Sequence, residues 1–157
     1  MPTLVMRSEH LESIGAHAAR IYPHECCGFL LGRELWKAES VLAAANDRGE
    51  EERHNRFVIT PEASRRAERE ARRAGLEVIG HYHSHPDAPA RPSTGFAESD
   101  LASATWPGYA FVIASVLRGE PAEVTCWNLA EDRGRFEPVP IEIAHPAAGH
   151  TARVASE

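Results

Sequence analysis

No apolar run in the 157-residue chain approaches the roughly 20 residues that a membrane-spanning helix needs. That excludes an integral helical membrane protein. The first ten residues have no charged start followed by an apolar stretch, so they do not read as a secretory signal. Cysteine is scarce, with three residues at 26, 27 and 126. An odd number with two adjacent builds no disulfide framework and fits a reducing cytoplasm. Positive charge is in deficit: 17 Lys and Arg against 23 Asp and Glu leave −6, which opposes general affinity for nucleic acid or an anionic membrane. No internal repeat and no linker-like stretch divides the chain. What remains, 43% hydrophobic and 25% charged residues, is an ordinary balance for one domain with one substantial core.

The pattern of elements is mixed. A short apolar strand opens the chain at 3–6. Ser8 then offers an N-cap, and Leu11, Ile14, Ala18 and Ile21 recur at helical spacing, which predicts an amphipathic helix over 8–22, ended by Pro23. Residues 25–35 read as a buried strand with 41–45 as its hairpin partner, 46–55 as a loop and 57–59 as a short strand. Thr60 as cap and Pro61 at the first helical position predict a helix to about Ala74, stopped at Gly75. Its arginines, Arg65, Arg66, Arg69, Arg72 and Arg73, alternate with Glu62, Glu68 and Glu70. They read as a solvated face with internal ion pairs and not as a nucleic-acid patch. Residues 76–85 form a strand, 86–92 a proline-containing loop and 93–105 a helix. An apolar strand at 109–117, a turn at 118–121, and strands at 123–129 and 135–143 complete an α/β domain.

The chemistry is concentrated on one of these strands. His83 and His85 are two apart, so a strand presents both imidazoles to one side, with His81 behind them as an extra ligand or a supporting group. A lone strand histidine is usually an ordinary one. Two on one face, closed by Pro86 and followed by carboxylates, favour a metal. Asp100 is the expected third ligand, with Asp87 and Glu98 as back-up carboxylates, and Glu25 is a separate carboxylate far upstream. Two imidazoles and a carboxylate suit Zn²⁺, with a fourth position left for water; ligand type alone leaves iron and manganese open. Competing zinc patterns fail. His24 has no second histidine at the spacing of a His-Glu-x-x-His helix, and Cys26 and Cys27 are adjacent where a nucleobase deaminase needs two cysteines three apart. The two cysteines read instead as small core residues.

These segments resemble the JAMM (MPN+/Mov34) zinc metallopeptidases of the small prokaryotic type. Tyr22-Pro23-His24-Glu25-Cys26-Cys27-Gly28 is similar to the family's segment around its general base. Gly80-His81-Tyr82-His83-Ser84-His85-Pro86 matches its zinc strand, and Ser93 follows His85 at the family's spacing. Arg56-Phe57-Val58-Ile59-Thr60-Pro61 and Trp106-Pro107-Gly108-Tyr109 also look like family segments. One departure stands out: the family's aspartate should fall three residues after the serine, where this chain has Phe96, and Asp100 comes four later. Four residues make about one helical turn, so Asp100 returns to the same helix face. Either Ser93 keeps the family's serine position and 94–97 supply the turn, or Ala97-Glu98-Ser99-Asp100 occupies the motif. Asp100 is the ligand in both.

The resemblance implies an MPN (JAB1-like, cytidine-deaminase-like) fold, a mixed curved sheet flanked by helices. It would span 1–144 as a single domain, with 145–157 a flexible tail. It also implies a zinc hydrolase of peptide or isopeptide bonds. His83, His85 and Asp100 would hold Zn²⁺, Glu25 would act as general base, and Ser93 would donate to the oxyanion. The implied substrate is the C-terminus of a ubiquitin-like or sulfur-carrier protein. The enzyme would be cytoplasmic, a monomer or homodimer, with no nucleic-acid or membrane partner. The alternative within the family is a non-catalytic MPN scaffold that binds a ubiquitin-like partner. The presence of both histidines and Glu25 ranks it second.

Overall fold

The computed structural model describes residues 2–45, 60–92, 108–132 and 134–145. Its elements run β1 (Leu4–Met6), α1 (Ser8–Ile21), β2 (Cys27–Gly32), β3 (Ser40–Ala44), α2 (Pro61–Arg73), β4 (Glu77–Pro86), β5 (Ala110–Leu117), β6 (Glu120–Leu129), β7 (Phe136–Val139) and β8 (Ile141–Ile143). The expected loop at 46–55, the strand at 57–59, the helix at 93–105 and the tail beyond residue 145 lie outside the described residues.

Six strands form one curved, mixed sheet in the order β3-β2-β4-β5-β6-β7. Only β4 and β5 run parallel; the other neighbours are antiparallel. This puts the histidine strand β4 in the middle of the sheet, bonded on both sides. A separate two-stranded parallel pair joins β1 to β8, with Leu4 opposite Ile141 and Met6 opposite Ile143.

The two helices cover opposite faces. Helix α1 buries Ile14 and Ala18 against Leu30, Tyr82, Val112, Ala114 and the β1 side chains Leu4 and Met6. Helix α2 buries only alanines, Ala67 and Ala71, against Phe29, Leu31 and Leu76. Small side chains on that stripe let the helix lie close to the sheet, and its remaining surface is charged. Glu62–Arg65 at 3.8 Å and Glu70–Arg73 at 3.1 Å are exposed pairs, as the alternating pattern predicts, and contribute little to stability. The Thr60 hydroxyl accepts from the Ala63 amide at 3.1 Å, and Gly75, at φ +73°, takes the left-handed conformation that ends the helix.

Three expectations need correction. Ser8 is the first helical residue of α1 and not its cap; Arg7 occupies the cap with no side-chain bond, and Glu9 favours the first turn electrostatically. The strand predicted at 25–35 is shorter, and Leu35 is exposed in the turn before β3. The strand predicted at 135–143 is two strands. It breaks at Pro140, which has no N–H for a ladder, so β7 stays with β6 while β8 crosses to β1.

Candidate metal centre

Side chains on β4 alternate between the two faces. Tyr82 points to α1, where its hydroxyl meets Nδ1 of His17, while His81, His83 and His85 share the opposite face, which carries Phe111. His83 is fully buried and His85 is partly exposed at the strand's end. Their Nε2 atoms stand 3.1 Å apart. Two nitrogens on one tetrahedral ion, each roughly 2.0–2.1 Å from it, would lie about 3.3 Å from each other. The pair is therefore spaced to share a cation.

The tautomer of His85 supports the same use. Its Nδ1 lies 2.9 Å from the Pro89 carbonyl, which can only accept, so Nδ1 carries the proton and Nε2 offers its lone pair toward His83. The Phe111 ring lies 5.1 Å from that of His83 and stacks on Phe136 at 4.9 Å, giving the pair an apolar wall.

His81, expected as an extra ligand or a supporting group, is also buried. It packs edge-on against Phe111 at 5.1 Å and lies across from Phe29 on β2. Burial, and then the neighbouring His83, push its pKa down to about 4. It is a neutral imidazole whose Nδ1 has no hydrogen-bond partner among the described residues.

Glu25 precedes β2 and is buried. Cys27 pairs with His83, and the Ser84 amide donates to the Cys26 carbonyl at 3.1 Å. The strand register ends at Cys27–His83, and Glu25 lies two residues before Cys27 in the chain. Ser84, absent from the expected site residues, secures the junction: its buried hydroxyl accepts from the Cys26 amide at 2.8 Å. A serine between two ligand-type histidines on a strand must face away from them, and that is the signal which could have found it. Cys26 and Cys27 are buried, as their reading as core residues predicts, and so is Cys126. Burial pushes Cys26 up to about 11 and Cys126 up to about 12.

Ser93, Glu98 and Asp100 lie outside the described residues. Among the described residues no three His, Cys, Asp or Glu side chains gather as a metal site; the structure brings together the two histidines. Asp87 is engaged elsewhere. Its carboxylate accepts from the Tyr22 hydroxyl at 2.6 Å and from the Arg118 amide at 2.7 Å, and the Tyr22 bond is the larger cause that holds its pKa below the usual value. Among the described residues no helix is long and apolar enough to cross a membrane.

Comparison with known proteins follows the same lines. A protein from Salinibacter ruber has a solution structure that matches with a TM-score of 0.70 at 40% identity, covering 94% of each chain. A JAB1/MPN domain protein from Archaeoglobus fulgidus shares the fold, with a TM-score of 0.53 at 21% identity, covering 90% of this chain and 98% of that one. Among curated relatives, the tail tip assembly protein K of Escherichia phage N15 is 35% identical over 88 residues, which are 56% of this chain. That match spans only 32% of the phage protein's length. A desampylase from Pyrococcus furiosus is 32% identical over 109 residues, 68% of each chain. Residues 7–151 match the family described as prokaryotic homologs of the JAB domain (Prok-JAB). With the histidine strand at the centre of a JAB1/MPN-type sheet and nearly the whole chain matched, the protein belongs to that family, the small prokaryotic type of the JAMM (MPN+/Mov34) proteins.

Proposed function

We propose that the chain is a zinc-dependent amide hydrolase. It acts at the C-terminus of a ubiquitin-like or sulfur-carrier protein, or on an isopeptide link made by one. The observation that carries this reading is the 3.1 Å approach of His83 Nε2 to His85 Nε2. Similarity to a protein named desampylase supports a hydrolase directed at a protein modifier.

His83, His85 and Asp100 hold the ion in this reading. Zinc, when bound, supplies a Lewis acid and makes a water molecule easier to deprotonate. Glu25 takes a proton from the attacking water and delivers it to the leaving amine. Ser93 donates a hydrogen bond to the oxyanion that develops on the scissile carbonyl. His85 is kept in its ligating tautomer by Pro89. The wall of Phe111 and Phe136 excludes water from one side of the pair and strengthens the electrostatics of the proton transfer. Three cysteines, two of them adjacent, suit a reducing compartment, and a cytoplasmic location forms part of this proposal.

The test is direct. The purified protein is incubated with a ubiquitin-like carrier ending in Gly-Gly-Cys, and the carrier's C-terminus is read by mass spectrometry. Loss of the terminal cysteine, stopped by a strong chelator and restored by zinc, is the expected result. A protein that takes up no zinc and leaves both this carrier and an isopeptide-linked conjugate intact overturns the proposal. Zinc uptake without cleavage of either points to the scaffold.

A further inference from the structure

Three consecutive carbonyls beyond β4 are each held by a side chain from a different strand. The Ser115 hydroxyl on β5 donates to Ala88 at 2.6 Å, the His85 Nδ1–H on β4 to Pro89 at 2.9 Å, and the Thr125 hydroxyl on β6 to Ala90 at 2.7 Å. Thr125 in turn accepts from the Trp127 indole N–H at 2.8 Å. The Arg91 amide also donates to Pro89, at 2.9 Å. The start of this strap is fixed as firmly: the Asp87 amide donates to Val116 at 2.6 Å, and the Asp87 carboxylate is held by Tyr22 and Arg118. The Ala90 methyl is fully buried against Phe111, Ile113 and Leu129.

A loop that only joins two elements needs no such fixing. The hydroxyl of Ser115 is the more telling because the residue is 4% exposed. A buried hydroxyl is unfavourable unless it is bonded, and an alanine would pair equally well in the β5 ladder. Its bond goes to the carbonyl next to the one that orients His85. Prolines at 86, 89 and 92 further restrict the strap. A free imidazole populates both neutral tautomers; only the one protonated at Nδ1 leaves Nε2 open toward His83.

We propose that Ser115 and Thr125 are positioning residues for His85: by pinning the carbonyls on either side of Pro89, they fix the acceptor that sets the tautomer and ring orientation of His85. The inference rests on the reading of His83 and His85 as metal ligands. Outer partners of metal-bound histidines typically contribute 10–100-fold in metal affinity.

The test uses Thr125→Val, Thr125→Ser and Ser115→Ala beside the wild type. Imidazole ¹⁵N shifts of the metal-free proteins, at about pH 8 where histidine is neutral, report the tautomer. Zinc affinity is read by competition with a chromophoric chelator. Thermal melting of the metal-free proteins establishes that each is folded. His85 is expected as the Nδ1–H tautomer in the wild type and in Thr125→Ser, and as a mixture in Thr125→Val and Ser115→Ala. Zinc binding should weaken by about 10–100-fold in the latter two and stay close to wild type in Thr125→Ser. Should Ser115→Ala fail to fold, the Thr125 pair decides. Folded Thr125→Val with wild-type tautomer and zinc affinity overturns the inference. A wild type that binds no zinc removes the metal reading instead, while the tautomer comparison still decides whether the strap orients His85.

Discussion

His17 on α1 and Tyr82 on β4 meet in a buried hydrogen bond, Nδ1 to hydroxyl at 2.8 Å, on the face of the sheet opposite the histidine pair. The rings stand edge-on with centroids 5.8 Å apart. Burial, and then Arg20, lower the His17 pKa, which favours the neutral imidazole in this bond. The first helix is thereby tied to the residue directly before His83.

This bond predicts a pH-dependent stability. The unfolded chain protonates His17 near pH 6.5, whereas the folded chain does so only at a lower pH. The contribution of His17 is therefore fully present above about pH 6.5 and is lost as the pH falls through the folded pKa. Urea denaturation of wild type and His17→Gln, between about pH 7.5 and 5.5, should show a steeper loss for the wild type, because glutamine keeps a polar partner for Tyr82 but does not titrate. Parallel curves for the two proteins would rule His17 out as the source.

Gly28 leaves the space that the Tyr82 ring occupies. A Cβ at residue 28 would overlap Cε2, Cζ and the hydroxyl oxygen of that ring. Tyr82 is 2% exposed and cannot swing into solvent without emptying the core. Gly28→Ala should destabilise by about 1–3 kcal/mol, the scale of overpacking, and should weaken the His17 bond. Denaturant melts check the first effect and the His17 ring shifts check the second; an unchanged midpoint would mean that the ring moves without cost.

For the proposed ligands, elemental analysis of protein purified without added metal should give about one zinc per chain. His83→Ala, His85→Ala and Asp100→Ala should each lose most of it, while Glu98→Ala should keep it. Retention by Asp100→Ala together with loss in Glu98→Ala would move the third ligand to residue 98 and shift the alignment across the insertion.

Glu25→Gln separates proton transfer from metal binding. It keeps the shape and hydrogen-bonding capacity of the side chain but has no basic carboxylate. Zinc content and binding of a carrier ending in Gly-Gly-Cys should be retained, with turnover falling by about 10²–10⁴-fold. Equal turnover in the two proteins would remove Glu25 from the proposed mechanism.

The histidine pair was legible in the sequence because a strand's period of two brings residues 83 and 85 together whatever surrounds them. The start of α2 was legible for a similarly local reason, since Thr60 and Ala63 are three apart and need no distant partner. Long-range partners leave no such mark. His17 and Tyr82 are 65 residues apart, and nothing in either segment names the other. The strap's carbonyls are bonded by Ser115 and Thr125, which in sequence are two small polar residues in apolar strands. The division at Pro140 was missed, since Pro138 lies in the same stretch and stays within β7, and nothing local points the segment after it to β1 as its destination.

That destination bears on how the chain is made. β1 has one neighbour that is synthesised early: the Val5 amide bonds the Trp36 carbonyl at 2.8 Å and the Ala38 amide bonds the Val5 carbonyl at 2.9 Å. Its other neighbour, β8, is the last strand of the described residues. Leu4 and Met6 are fully buried once the fold is complete. A nascent chain thus carries β1 with one edge open until β8 has been made. The β1–β8 seam joins residues far apart in sequence, and contacts of that kind slow folding.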